Sequence, residues 1–428
     1  MSEAAERGGL LKALGPGFLF AGTAVGVSHI VQSTRAGALF GLALIVVVIA
    51  ANVLKYPGFA FGPRYAAATG TSLLEAYRRQ GRWALVLYGL LTIGTMFAVQ
   101  AAVTITTAGL SIAIFGVGPG LWAHAAILTV LAGAIAGLGQ FKLLDWVVKI
   151  IVVVLTVATL VATALALPKI DWAGAAWTLD SSQLNPQTIF FCAALIGWMP
   201  TALDIAVWHS LWTLARRDET GHAPTVREVL FDFKVGYIGT AALAVCYVLL
   251  GAAVIHGSGA PLAERADAFA NQVIDLYTQN LGAWSRPIIA VCAFGVMCST
   301  VLTVVDGFPR ALAALRERFA GPEDPNARQH DRTSRSYWIA LAVLAVGSLL
   351  VIGQFVSSLK GLVDLATVLS FLTAPVLAWL NHRSIRAAEV PERARPSAAM
   401  MTFSWISIAS LTAFALYYLL LRAQVWFG

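Results

Sequence analysis

Residues 188–215 read TIFFCAALIGWMPTALDIAVWHSLWTLA. The runs on either side of Gly197-Trp198-Met199-Pro200-Thr201 are apolar enough for lipid, but the middle cannot continue a helix. Pro200 lacks an N–H and its ring clashes with the preceding turn. A second stretch, residues 14–40, LGPGFLFAGTAVGVSHIVQSTRAGALF, repeats the arrangement, with its break at Gly26-Val27-Ser28-His29. Free backbone N–H and C=O groups cannot face lipid, so unwound backbone at membrane depth lines a cavity or is buried in protein. Paired breaks at matching places in two halves of a membrane chain imply a secondary transporter with its site at the breaks.

Composition supports the membrane reading. Hydrophobic residues make up 58% of the 428 and charged residues 12%, with mean hydropathy +0.76. Soluble domains carry about 25% charged residues. The net charge of +7 sits in short loops between apolar spans, which is positive-inside topology rather than a nucleic-acid surface. Cys192, Cys246, Cys292 and Cys298 lie in apolar spans at spacings that match no metal pattern, so they read as small buried hydrophobes. Met1–Gly9 lacks a cationic segment followed by a cleavable apolar core, so no signal peptide is expected. No Gly-Lys-Ser/Thr nucleotide loop occurs, and no enzyme signature or bound cofactor is expected.

Eleven spans of roughly the length a bilayer needs are expected, at about 14–38, 41–66, 83–115, 121–139, 143–167, 188–215, 235–257, 284–306, 336–353, 361–381 and 402–422. Alternate loops carry Arg64, Arg78, Arg79 and Arg82; Lys142; Arg216, Arg217 and Arg227; Arg310 to Arg335; and Arg383 to Arg395. The others carry only Arg35, Lys169, Arg265, Arg286 and Lys360. That bias sets the N-terminus inside and the C-terminus outside a bacterial inner membrane. The chain then reads as one all-α transporter domain over 1–428. Two inverted repeats of five spans cover about 14–167 and 188–381, and an extra helix covers 402–422. With the first helix of each half broken, this is the LeuT-type architecture.

Local strings resemble the NRAMP family of proton-coupled divalent metal transporters. They are Gly15-Pro16-Gly17; Ser28 to Ala38; Lys55-Tyr56-Pro57 with Phe61-Gly62-Pro63-Arg64-Tyr65; Met199-Pro200 with Trp208-His209-Ser210; and Asp306-Gly307-Phe308-Pro309-Arg310. The resemblance spans essentially the whole chain and implies fold and transport. Three departures bear on substrate. Where the family has Asp-Pro-Gly-Asn, this chain has Gly26-Val27-Ser28-His29, without the carboxylate and asparagine that are ligands there. Where it has Met-Pro-His, this chain has Met199-Pro200-Thr201. The third span, Gly94 to Gln100, has no acid where the family moves protons. A dehydrated divalent cation needs anionic or strongly dipolar ligands, so this chain reads as a divergent branch with a softer, less charged site.

Gly26, His29, Gly197, Met199, Thr201 and Asp204 are the candidate substrate-binding residues, with His29, Met199 and Asp204 as metal ligands and the Gly26 and Gly197 carbonyls completing the shell. His29 either ligates or titrates, or donates to a backbone carbonyl and holds the break in shape. Met199 offers a soft sulfur or fills a core gap. Thr201 offers a hydroxyl or satisfies a freed carbonyl. Asp204, three residues on, shares a face with Thr201 if the helix resumes there. A carboxylate inside an apolar span is a functional hypothesis by default, against the alternative that it pairs with Lys149. Gln32, Gln100, Asp145 and Lys149 are candidates for a proton or gating path, or for hydrogen bonds between helices and an i, i+4 pair. Asn52, Lys55 and His209 read as structural, and Asp364 as a helix cap. The expected function is secondary transport of metal ions, with protons as a possible second partner. The alternative is a small amine or amino-acid-like solute beside Trp198.

Overall fold

The computed structural model describes the backbone of residues 15–116, 120–138, 142–258, 261–325 and 334–427; the side chains of 137, 138, 142–149, 257 and 427 lie outside the described residues. The first broken span is α1 (Pro16–Ala24), a wide π-helical turn (Ser28–Ser33) and α2 (Thr34–Phe40). Next come α3 (Ile45–Thr69), α4 (Leu73–Gln80), α5 (Arg82–Phe115), α6 (Leu121–Leu138) and α7 (Lys142–Ala166). The second broken span is α8 (Pro186–Gly197) and α9 (Ile205–Thr220). Then follow α10 (Val226–Val254), α11 (Ala266–Leu281), α12 (Arg286–Ala320), α13 (Arg335–Phe355), α14 (Leu359–Ile385) and α15 (Ala398–Phe427).

Among the described residues, eight helices are long and apolar enough to cross a membrane. Adding the two broken spans and the shorter α6 gives the expected eleven. Two helices do not span and were not expected. α4 follows Gly70, whose φ of +70° ends α3. α11 lies between spans 7 and 8, and a Cβ on Gly109 of α5 would stand 2.4 Å from the Ala266 carbonyl at its start. Span 7 also begins earlier than expected, at Val226, where Thr225 and Glu228 form a reciprocal capping box.

The packing carries the repeat. Span 1 lies along span 7 (α10) as span 6 lies along span 2 (α3). Span 5 (α7) meets span 7 as span 10 (α14) meets span 2, and span 4 (α6) meets span 8 (α12) as span 9 (α13) meets span 3 (α5). Exchanging each span for its counterpart in the other half, five positions away, turns one member of each pair into the other. Small residues allow the closest crossings. A Cβ on Gly37 of α2 would fall 2.0 Å from the Val248 carbonyl of α10, and one on Gly62 of α3 2.2 Å from the Ala206 carbonyl of α9.

Candidate functional site

Each half-helix at a break is held by identifiable contacts. α1 starts at Pro16, whose missing N–H costs nothing at a first turn. Its N-terminus is covered by the Asp232 carboxylate of α10, which accepts from the N–H groups of Gly17 (2.5 Å) and Gly15 (3.2 Å). α8 is capped by Asn185, whose side chain accepts from the Thr188 N–H at 3.0 Å. The first break is packed tightly against α12, where a Cβ on Gly26 would meet Thr300 Oγ1 at 2.9 Å. The second break is packed against α14, where a Cβ on Gly197 would stand 1.9 Å from the Thr367 carbonyl.

Between the breaks lies a small cavity. Thr23, Val27 and Ser28 line it from span 1; Val99 and Val103 from α5; and Thr300, Val304 and Phe308 from α12. The second break supplies Trp198, Thr201, Ala202 and Asp204, and α9 adds Ile205 and Trp208. Asp204 is the charged residue of this lining. It is 1% exposed, and neither carboxylate oxygen has a hydrogen-bond partner. It occupies the N-cap position of α9 without capping it, so the positive end of the half-helix dipole stabilises its charge. The Tyr88 hydroxyl, Thr92 Oγ1 and Trp208 Nε1 are buried close to one another, and Tyr88 lies within electrostatic range of Asp204.

The other expected residues fall differently. Thr201 and Asp204 share the cavity but no helical turn, because the break extends to Asp204 and α9 begins only at Ile205. His29 does not line the cavity. Its Nε2 meets the Thr240 carbonyl of α10 and its Nδ1 meets Ser28 Oγ, both at 2.8 Å, so both ring nitrogens are engaged. Ser28 Oγ also bonds the Ala24 carbonyl, and the three groups tie the first break to α10. Met199 packs in an apolar cluster with Phe191, Cys192 and Leu195, away from the cavity lining. The Gly26 carbonyl accepts from the His29 and Ile30 N–H groups. The Gly197 carbonyl accepts from Lys55 at 2.9 Å. Among the described residues no group of three or more His, Cys, Asp and Glu could hold a metal ion.

Gln32 accepts from Arg35 Nη1 at 2.8 Å and donates to Thr367 Oγ1 at 3.2 Å. Arg35 is paired with Asp364 at 2.7 Å, so Asp364 is an ion-pair partner rather than the cap of α14, a role Ser358 fills. Gln100 donates to Thr104 at 2.8 Å within α5. The side chains of Asp145 and Lys149 lie outside the described residues. Sequence reasoning passed over Lys55, whose signal was an amine in the middle of an apolar span. Its Nζ donates to the carbonyls of Thr201 (2.6 Å), Gly197 (2.9 Å) and Ile196 (3.1 Å).

The sequence pattern of the natural resistance-associated macrophage protein-like (Nramp) family matches residues 17–421. The chain belongs to that family. Nramp proteins are membrane transporters and not enzymes, so this is a multi-pass membrane protein of a transporter family. An uncharacterised protein of Pasteurella multocida is 32% identical over 413 residues, covering 96% of this Nramp chain and 92% of its own. A manganese transporter of Eremococcus coleocola, solved as a point variant, superposes with TM-score 0.71 at 15% identity, covering 95% of this chain and 86% of that one. MhsT in complex with L-phenylalanine superposes with TM-score 0.65 at 14% identity, covering 95% and 97%. At such identities the two structures speak for a shared LeuT-type fold.

Proposed function

We propose that the protein is a secondary transporter of small cations, metal ions first among them. It binds its cargo in the cavity between the two breaks and moves it by alternating access. The observation that carries this reading is the Asp204 carboxylate, buried, without a hydrogen-bond partner and facing the cavity. A buried, unpaired charge is costly, and a cation seated there would remove the cost. Membership of the Nramp family supports metal ions as the cargo, and the E. coleocola neighbour is named a manganese transporter.

Two polar clusters, at span ends that the alternation of eleven spans would put on opposite sides of the membrane, suit the gates that alternating access requires. At one end Arg35, Gln32 and Asp364 join α2 to α14. At the other, Glu75, Arg79, Arg318, Glu323 and Glu389 join the basic loops. The positive-inside bias supports the second end as the cytoplasmic one, in a bacterial inner membrane with the N-terminus inside and the C-terminus outside. Protons as a second cargo are a subsidiary part of the proposal. Asp204 is the cavity's carboxylate, and it would hold either a proton or a cation at one time.

A small organic amine is the second reading, favoured by Trp198, Trp208 and Phe308 in the cavity wall, whose ring faces attract a cation. The test of the site itself is uptake into proteoliposomes by wild type and Asp204→Asn. The variant should fold and lose at least about tenfold in uptake, a deficit of some 1.4 kcal/mol. Undiminished uptake by a folded Asp204→Asn protein would refute the reading.

A further inference from the structure

Lys55 holds the oxygens that the second break sets free. Its ammonium is 1% exposed and donates to three carbonyls, two in the last turn of α8 and one at Thr201 beside the cavity. Carbonyl oxygens only accept, so three such bonds use all three N–H groups of a protonated amine; a neutral amine has two. The cluster has the composition of a cation site: backbone carbonyls converging on one positive charge at the negative end of a half-helix. Here the cation is covalently part of α3, and the Phe59 ring, 5.6 Å from Nζ, adds to its cradle.

The consequence for cargo follows from what remains. Hard divalent ions take six or more oxygens, or keep water and bind carboxylates. Lys55 has removed the carbonyls of Ile196, Gly197 and Thr201 from that supply. Lining the cavity are one carboxylate, the hydroxyl residues Thr23, Ser28, Thr201 and Thr300, and a wall that is otherwise apolar and aromatic; the hydroxyls of Thr23, Ser28 and Thr300 are already bonded to backbone carbonyls. One carboxylate balances one positive charge, so a doubly charged ion leaves a net charge in this buried, low-dielectric site, and the resident ammonium repels it twice as strongly as a singly charged ion.

We propose that Lys55 is a resident cation of the transport site, filling the carbonyl cradle of the second break, and that the cavity therefore takes a singly charged cation at Asp204 in preference to a bare divalent one. This rests on the reading that the cavity is the transport site. The shared chemistry of the cargo is a single positive charge, which either an alkali ion or a small organic ammonium supplies.

Calorimetric titration of purified full-length protein tests it, with potassium, sodium, methylammonium and manganese chlorides as separate arms. Wild type should bind at least one singly charged cation saturably and manganese at least about tenfold more weakly. Saturation by an alkali ion or by methylammonium identifies the source. Lys55→Met, similar in length and uncharged, opens the cradle and should improve manganese affinity about tenfold, while Lys55→Arg, which keeps the charge, should retain the wild-type order. Wild type that prefers manganese, or that binds none of the four, overturns the inference, and this holds even if Lys55→Met fails to fold. So does a folded Lys55→Met protein with unchanged manganese affinity. Asp204→Asn separates the two readings. If it binds every cation as wild type does, the assignment of the cavity fails. If it loses binding while Lys55→Met leaves selectivity unchanged, only the role of Lys55 fails.

Discussion

Asp204 and Lys55 stand at the two ends of one chain break, and each meets a helix end of the sign that suits it. The ammonium lies on the last carbonyls of α8 and the carboxylate on the first turn of α9. Such placements contribute about 0.3–1 kcal/mol each when exposed and up to about 2 kcal/mol when partly buried. Met199, between them in sequence, has a different task. Fully buried among Phe191, Cys192 and Leu195, it holds the break by packing. Met199→Ala should therefore cost about 2–5 kcal/mol of stability and leave cation affinity within a few-fold of wild type. Chemical denaturation beside a binding titration checks both halves. A variant of undiminished stability that has lost cation binding would return Met199 to the ligand set.

The broken helices keep their shape because neighbouring helices satisfy their free ends. Asp232 of α10 takes the first N–H groups of α1, and Lys55 of α3 takes the last carbonyls of α8, so each half-helix is completed by the span its repeat position pairs it with. Asp232→Ala leaves buried N–H groups unsatisfied and should lower stability by about 1–3 kcal/mol, read as a drop in thermal midpoint. At the other end of the first span, Arg35 binds Asp364 and Gln32, and its side chain is 5% exposed. Breaking this contact should free α2 from α14. In a background with Cys192, Cys246, Cys292 and Cys298 replaced, a Val27→Cys probe should react faster with a membrane-impermeant thiol reagent once Arg35→Ala is added. Equal rates would mean that the cluster does not close the path.

The basic loops, scattered along the chain, come together at one end of the molecule. Glu75 of α4 accepts from Arg78 and Arg79 and from the Glu323 N–H, while Arg79 reaches Glu389 and Tyr65 donates to Glu389. Burial pushes the Glu75 carboxyl up, but the hydrogen bonds from Arg78, Glu323 and Arg79 outweigh it and hold it below its ordinary value of 4.5. A group depressed on folding adds stability that is present above its unfolded value and lost as pH falls through its folded one. Thermal stability should therefore decline as pH is taken from about 4.5 downward. Glu75→Gln, less stable at neutral pH, should show a shallower acid limb. Parallel acid limbs would show that Glu75 adds nothing to it.

The sequence by itself determined the membrane class, the eleven spans and the two breaks, because lipid demands long apolar runs and Pro200 forbids a continuous helix. It also singled out Asp204, since a carboxylate in such a run is costly and a functional hypothesis by default. It could not decide which side chains meet. His29 lies at the first break in sequence, yet its ring turns to the Thr240 carbonyl of a helix some two hundred residues away. Lys55 read as structural because its three acceptors, the helix-end carbonyls of Ile196 and Gly197 and the unwound one of Thr201, are backbone on another span. Hydropathy is a property of each segment alone and is written locally. The direction of a side chain at a break depends on which donors and acceptors the packed neighbours bring to it, and only the tertiary structure supplies those.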